Sequence, residues 1–269
     1  MIGVRVFVVG VGVWGPGLEG WQAARPILAG KQPWTDRPSP CPPPAILSAT
    51  ERRRTGPVVR LALTVAQEAA TSSGLPPGDL RSVFASGNGD GVVVGSILDA
   101  LAIAGQQPRA VSPTQFHNSV HNAAAGYWSI AHGSARPATC LGMHDDSFAA
   151  GLLKAATEAV AEDEPVLLCV YDHALPQPLN AKRPTVGAFG AGFVLSPTPL
   201  GGTRAALTVS YASQPPRQLP VVRHPDLQAL TDHNPAARAL PLLQVLALEQ
   251  AADLAWRFLD GSLLVTVAP

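Results

Sequence analysis

Residues 138–160 read ATCLGMHDDSFAAGLLKAATEAV. A short run with apolar members leads to Gly142, then charges, then apolar residues at helical spacing. The order predicts a buried strand, a tight turn and a helix that begins near Asp145 or Asp146. Such a turn is a natural seat for a reactive anion, because the first free N–H groups of the helix and its positive end stabilise negative charge. This one carries His144, Asp145 and Asp146, with neither Cys nor Ser at the expected helix start. The frame of a nucleophile site is written without the nucleophile.

Bulk properties set the limits around that turn. A chain of 269 residues fits one large domain or two small ones. Apolar residues make up 46%, enough for a substantial core, while charged residues are only 14%, which points to surface covered by a partner. Net charge is zero, which argues against nucleic acid and anionic membrane as partners. No apolar run reaches 18 residues, so no membrane span is predicted. The run 6–13 reads as a core strand and not as a leader. Cys41, Cys140 and Cys169 form no spaced framework; Cys140 and Cys169 sit in apolar strand-like runs and read as buried free thiols of a cytoplasmic protein.

Outward from the elbow, strands are expected at 4–9, 82–86, 138–142, 165–171, 190–195, 206–211 and 263–268. Helices are expected at 21–29, 55–73, 95–104, 112–131 and 146–160, with Gly30 and Gly74 as stops. Gly10–Gly17 reads as a glycine-rich turn, Pro33–Pro44 as an exposed loop and Gly87–Gly91 as a strand-to-helix turn with positive φ values. In the tail, 217–234 reads as polar loop and 236–259 as a helical stretch interrupted at Pro241. Strands and helices alternate to about residue 200, an α/β arrangement with mixed or parallel pairing. The expected division is 1–200 as one domain, with 201–269 as a short α+β extension packing on it.

The order of four segments resembles the N-terminal half of β-ketoacyl synthases, the thiolase-like condensing enzymes of fatty acid and polyketide synthesis. They are VFVVGVGVWGPGLEGWQAARPILAGKQPW, ERRRTGPVVRLALTVAQEAATSSGL, SPTQFHNSVHNAAAGYWSIAHG and GSARPATCLGMHDDSFAAGLLKA. The resemblance covers about residues 4–197 and implies a thiolase-like half-fold, a mixed central sheet with helices on its faces. Counted without gaps from Gly126 and Gly133, the family's nucleophilic Cys falls on Asp145, with Cys140 several residues earlier inside the strand. The two basic residues of the family's second half have no counterpart, since neither "H-G-T-G-T" nor "N-S-F-G-F-G-G" occurs. The similarity is nearest to short chain-length-factor-like partners of ketosynthases in aryl polyene and related pigment pathways. It implies a catalytically inactive subunit in a heterodimer with an active ketosynthase, reaching an acyl carrier protein through that complex.

On the same resemblance, Ser112–Asn122 is the segment that reaches toward the partner's acyl tunnel. Gln115 and Phe116 would lie nearest the tunnel, with His117, Asn118, His121 and Asn122 beside them; bulk there limits chain length sterically. A plain oligomer interface is the competing reading. His117 and His121 stand four apart, a metal-ligand spacing, but no third ligand accompanies them, so no metal is expected and no cofactor either. Asp145 or Asp146 reads as a helix N-cap. His144 beside Asp145 resembles an acid/base pair, although sequence neighbours at a turn rarely point at each other. Arg52, Arg53 and Arg54 form a basic run able to receive an acidic carrier protein, or simply a solvated one. The alternative function is a stand-alone acyl-thioester decarboxylase or acyltransferase using Asp145 or Cys140. Gly10, Gly12 and Gly15 match the spacing of a dinucleotide turn, but the acidic residue at the end of a second strand is missing.

Overall fold

The computed structural model describes residues 3–102 and 111–269. The chain begins with strand β1 (Val4–Gly15), the two-residue β2 (Leu18–Glu19), helix α1 (Trp21–Leu28), α2 (Ala49–Arg54) and α3 (Pro57–Ser73). Next come β3 (Arg81–Ala85), α4 (Gly91–Ala102), α5 (Pro113–Asn118), α6 (Ala123–His132), β4 (Ala138–Leu141) and α7 (Ser147–Glu162). The order closes with β5 (Val166–His173), α8 (Leu179–Lys182), β6 (Ala188–Ser196), β7 (Ala205–Ala212), α9 (Pro225–His233), α10 (Leu240–Leu248), β8 (Ala252–Phe258) and β9 (Gly261–Ala268).

The strands form one sheet in the order β4-β3-β5-β6-β1-β7-β9-β8, with β2 paired to β1. β3 runs parallel to β4 and β5, and the other pairs are antiparallel. The sheet is therefore mixed, with helices on both faces. Along β5, Leu167, Cys169 and Tyr171 join the cluster under α3 and α6, whereas Val166, Leu168 and Val170 join the one under α1, α7 and α10. That two-sided burial is why the strand reads as an unbroken apolar run. Residues 205–212 and 252–268 continue the same sheet beyond β1.

β1 does not stop at Gly10 but runs through the glycines to Gly15. Their role is clearance. A Cβ at Gly12 would sit 2.3 Å from the Val65 carbonyl oxygen, and one at Gly192, directly opposite in β6, 2.4 Å from the same atom. A Cβ at Gly10 would meet the Ala69 carbonyl oxygen at 2.1 Å. Bare backbone here lets α3 lie directly on the sheet. No helix begins at these glycines, so the dinucleotide turn is excluded.

The expected helix 112–131 is two helices. Asn118 is buried; its Nδ2 donates to the Arg54 carbonyl (2.8 Å) and its Oδ1 accepts from the Tyr127 hydroxyl (3.1 Å). An Asn side chain bonded away from its own helix ends α5, and α6 starts afresh after Asn122. The expected helix 95–104 starts earlier, at Gly91, and its last positions, 103 and 104, lie outside the described residues. Of the glycines 87, 89 and 91 only Gly89 has positive φ (58°). The polar 217–234 stretch contains α9, and 236–259 is a 3-10 turn (Ala236–Ala239), α10 and the strand β8. Pro33–Pro44 has no regular structure but is tied down. Trp14 Nε1 donates to the Ser39 carbonyl (2.7 Å), Trp34 Nε1 to that of Pro16 (2.9 Å) and Gly17 N to that of Arg37 (3.1 Å).

Candidate functional site

β4 feeds through residues 142–146 into α7, whose apolar face packs Phe148, Leu152, Ala155 and Ala159 into the core. The strand, elbow and helix stand in the order the sequence predicts, but the strand is an edge strand with no buried residue instead of a buried one, and the helix begins at Ser147. A Ser is therefore present at the start. It is buried and fully used: its Oγ donates to the His144 carbonyl (2.8 Å) and accepts from Met143 N (3.0 Å). The backbone strain of the elbow falls on His144, whose φ is 52°.

Asp145 and Asp146 do not cap the helix; neither side chain bonds its N–H groups, although Asp146 occupies the cap position. Both face arginines instead. Arg183, just past α8, donates from Nη2 to Asp145 Oδ1 (3.1 Å), from Nε to Asn88 Oδ1 (2.6 Å) and from Nη1 to His144 Nε2. Arg238, from the 3-10 turn before α10, reaches Asp145 Oδ2 (3.5 Å) and Asp146 Oδ1 (3.4 Å). Two cations meet two anions, and Asp145 is held from both sides. The other ring nitrogen of His144, Nδ1, lies 3.4 Å from Asp145 Oδ1. The two sequence neighbours thus do point at each other, brought round by the left-handed backbone, but within a pinned network. His144, Asp145, Arg183 and Arg238, with Thr185 and Asn234, line a cleft of about 340 Å³.

Behind the elbow lies a residue that the sequence reading passed over. Asp172, at the end of β5, is fully buried. Its carboxylate accepts from Ser86 Oγ (2.8 Å), Asn88 N (2.9 Å) and Gly87 N (3.1 Å). Burial pushes its pKa up to about 6, opposed by these three donors and the charge of Arg183. The 86–89 loop is therefore folded around one carboxylate, and Asn88 passes that order on to Arg183. The only signal for Asp172 in sequence is an acid closing an otherwise apolar strand. Arg183 follows the short α8 and Arg238 sits in the 3-10 turn Ala236–Ala239, and neither carries a local signal.

Cys140, in the edge strand β4, is half-buried, and burial raises its thiol pKa; Cys169 is fully buried and raised further. Neither stands at the helix start. Cys41 is likewise free, pushed up to about 12 by burial.

The segment 112–122 lies apart from that cleft. Phe116 is 68% exposed and Val120 48%, beside Ile130 of α6 at 60%. Phe116, His117, Val120, Asn122, Tyr127 and Ile130 help to line an open groove of about 460 Å³. Gln115 N bonds the Ser112 cap at 3.5 Å. His117 turns its Nδ1 to Asn118 (3.3 Å) and its ring edge to Tyr127, whereas the Nε2 of His121 meets the Ser86 carbonyl (3.1 Å). The break in the helix therefore takes the two imidazoles to different partners. No cluster of three metal-ligating side chains occurs among the described residues. In the basic run, Arg54 pairs with Glu51 (3.1 Å) and Arg52 donates to the Leu47 carbonyl (3.0 Å). No helix among the described residues is long and apolar enough to cross a membrane.

Comparison with known proteins adds to this geometry. A search of curated proteins finds no match. Three solved assemblies contain chains similar to this one along nearly its whole length. One is a ketosynthase (ApeO) in complex with its chain length factor (ApeC) from Xenorhabdus doucetiae, at 20% identity, covering 98% of this chain and 99% of the other, with a TM-score of 0.71. The second is the ishigamide ketosynthase/chain length factor, at 14% identity, covering 98% of each chain, TM-score 0.71. The third is AntDE:AntF, a type II polyketide acyl-carrier protein in complex with its ketosynthase, at 13% identity, covering 99% of each chain, TM-score 0.72. These likenesses establish the thiolase-like ketosynthase fold. The family model described as "Beta-ketoacyl synthase, N-terminal domain" matches residues 26–252, most of the chain. The chain therefore belongs to the β-ketoacyl synthase N-terminal domain family.

Proposed function

We propose that this chain is a non-catalytic, chain-length-factor-like subunit that pairs with an active β-ketoacyl synthase and shapes its acyl tunnel, in polyene or fatty-acid-like biosynthesis. One observation carries the proposal. Asp145, at the turn where the family bears its thiol, is held by Arg183 and Arg238, so the elbow offers no free nucleophile. A carboxylate pinned between two guanidinium groups is a poor acyl acceptor, and its negative charge repels a malonyl carboxylate. The pairing is supported by the exposed apolar side chains Phe116, Val120 and Ile130, a grouping that costs free energy unless covered. Phe116 is the residue we place against the growing chain, with Gln115 beside it. Asn118 and His121 tie the segment to the Arg54 and Ser86 carbonyls, and His117 and Asn122 line the groove beside Phe116. Carrier protein would arrive through the complex, with Arg53 as the least engaged cation of the basic run.

Coexpression with an active ketosynthase encoded beside it tests the proposal. A stable heterodimer should elute from size exclusion, and Phe116→Ala should keep the complex while lengthening or broadening the product distribution. Absence of any complex by size exclusion and cross-linking sinks the pairing. Turnover of a malonyl-carrier protein by the isolated chain, lost on Asp145→Asn, would favour the stand-alone enzyme instead.

A further inference from the structure

A second pocket, of about 390 Å³, lies where the end of α1 meets the start of α9, and it shares no lining residue with the elbow cleft. Its apolar lining comes from Ile27 and Leu28 of α1, Pro33, and Leu227 of α9. Trp34 joins them. Its indole is fixed, since Nε1 donates to the Pro16 carbonyl (2.9 Å) and the ring meets that of His224 edge-on, with centroids 5.1 Å apart. The size is that of a small-ligand site.

The remaining lining carries positive charge. Lys31 and Arg223 both line the pocket, and both are exposed. Arg223 N donates to Gln244 Oε1 (2.7 Å), which fixes the backbone there. Arg223 Nη1 lies 3.8 Å from where a Cβ on Gly30 would stand, next to Lys31 in the chain. No carboxylate lines the pocket among the described residues. Asp226 turns to His224 Nδ1 (3.7 Å) and Glu249 to Arg25 (2.5 Å), so neither Lys31 nor Arg223 has an ion-pair partner among the described residues. Two like charges gathered without a counter-ion repel each other, in a chain whose net charge is zero. α9 starts at the same place. Pro225 and Leu227 line the pocket and no side chain caps that helix end, so its positive end adds to the cations. The Arg25, Pro26 and Ile27 carbonyls at the end of α1 are already used, accepting from Ala29, Lys31 and Gly30 N–H groups.

We propose that this pocket binds a phosphate monoester with a small apolar or aromatic body. The oxyanion sits between Lys31 and Arg223, and the body lies against Trp34 and Leu227. A monoester carries close to two negative charges at neutral pH and several acceptor oxygens, which matches two unpaired cations. A carboxylate brings one charge and two oxygens. Inorganic phosphate has the charge but leaves the apolar lining uncovered. The site uses neither the elbow nor the pairing with a ketosynthase.

Isothermal titration of the full chain with phenyl phosphate, benzoate, inorganic phosphate and phenol at neutral pH tests the assignment. Phenyl phosphate should bind with one-to-one stoichiometry, and the other three at least about tenfold more weakly. Salt at about 1 M, where charges are screened beyond about 3 Å, should weaken it severalfold. Lys31→Gln and Arg223→Gln should each weaken phenyl phosphate about tenfold, the loss of one bond to a charged group. Both side chains are exposed, and near-ultraviolet circular dichroism of the variants should stay native. Arg217→Gln removes the same charge from the same loop without touching the pocket, and should leave binding unchanged. No heat from phenyl phosphate with folded protein, equal binding of benzoate or inorganic phosphate, indifference to Lys31→Gln and Arg223→Gln, or an equal loss on Arg217→Gln would each overturn the proposal.

Discussion

The seat of α3 on the sheet can be tested through a pair of glycines. Gly12 and Gly192 face each other across β1 and β6, and a Cβ on either meets the carbonyl oxygen of Val65 at 2.3 or 2.4 Å. Ordinary contact starts near 3.4 Å. Either alanine therefore forces α3 away by about 1 Å, and a gap of that order forfeits a quarter to a half of the dispersion attraction of the facing atoms. Ten residues of α3 are buried, among them Val58, Leu61, Val65 and Ala69. Overpacking of this kind costs about 1–3 kcal/mol; the lower chain entropy of alanine returns about 0.5–1 kcal/mol, leaving each single variant about 1 kcal/mol less stable. One lift of the helix clears both methyls, since both strike the same oxygen. Gly12→Ala with Gly192→Ala should then cost no more than either alone, a coupling of about 1–2 kcal/mol. Urea unfolding followed by circular dichroism measures it, with unchanged m-values as the sign of two-state behaviour. Gly126→Ala is the control, because a Cβ there meets nothing within 4 Å, and a helical alanine should raise stability by about 0.5–1 kcal/mol. Additive losses from Gly12 and Gly192, within about 0.5 kcal/mol, would mean that each site relaxes alone and that the helix is not seated as a rigid unit.

Two further expectations concern titration and the thiols. Asp172 has its folded pKa raised to about 6 from 3.8, so the folded state holds its proton more tightly than the unfolded chain. Its contribution is fully present below about pH 4 and is lost as pH rises through about 6, a change on the order of 3 kcal/mol. Asp172→Asn should remove that part of the pH dependence from urea midpoints measured between pH 4 and 7; an unaltered slope would assign it to other groups. Burial raises the pKa of Cys41, Cys140 and Cys169, so all three should react slowly with a thiol reagent at pH 8 and rapidly in urea. One fast thiol at Cys140 in folded protein would revive the stand-alone enzyme.

Much of the architecture was written locally. The apolar runs at 165–171 and 190–195 and the helical spacing at 55–73 and 146–160 named their elements, because burial on both faces or along one stripe leaves a periodic mark. Gly74 named the end of α3, where a left-handed residue closes the helix. Segment order together with four motifs was enough to name the family. What needed the third dimension were choices that neighbours settle. Gly10 and Gly12 read as a turn because glycine is permissive; the close approach of α3 makes them strand. Residues 252–258 read as helix, and pairing with β9 makes them β8. The long helix at 112–131 was broken by a hydrogen bond from Asn118 to Arg54, 64 positions away. The candidate site followed the same rule. Its turn and its acids are contiguous and were legible, but the two arginines that pin Asp145 arrive from 38 and 93 positions downstream. Charge pairing at such separation leaves no period and no spacing in the chain, because only the folded sheet brings those loops to one end.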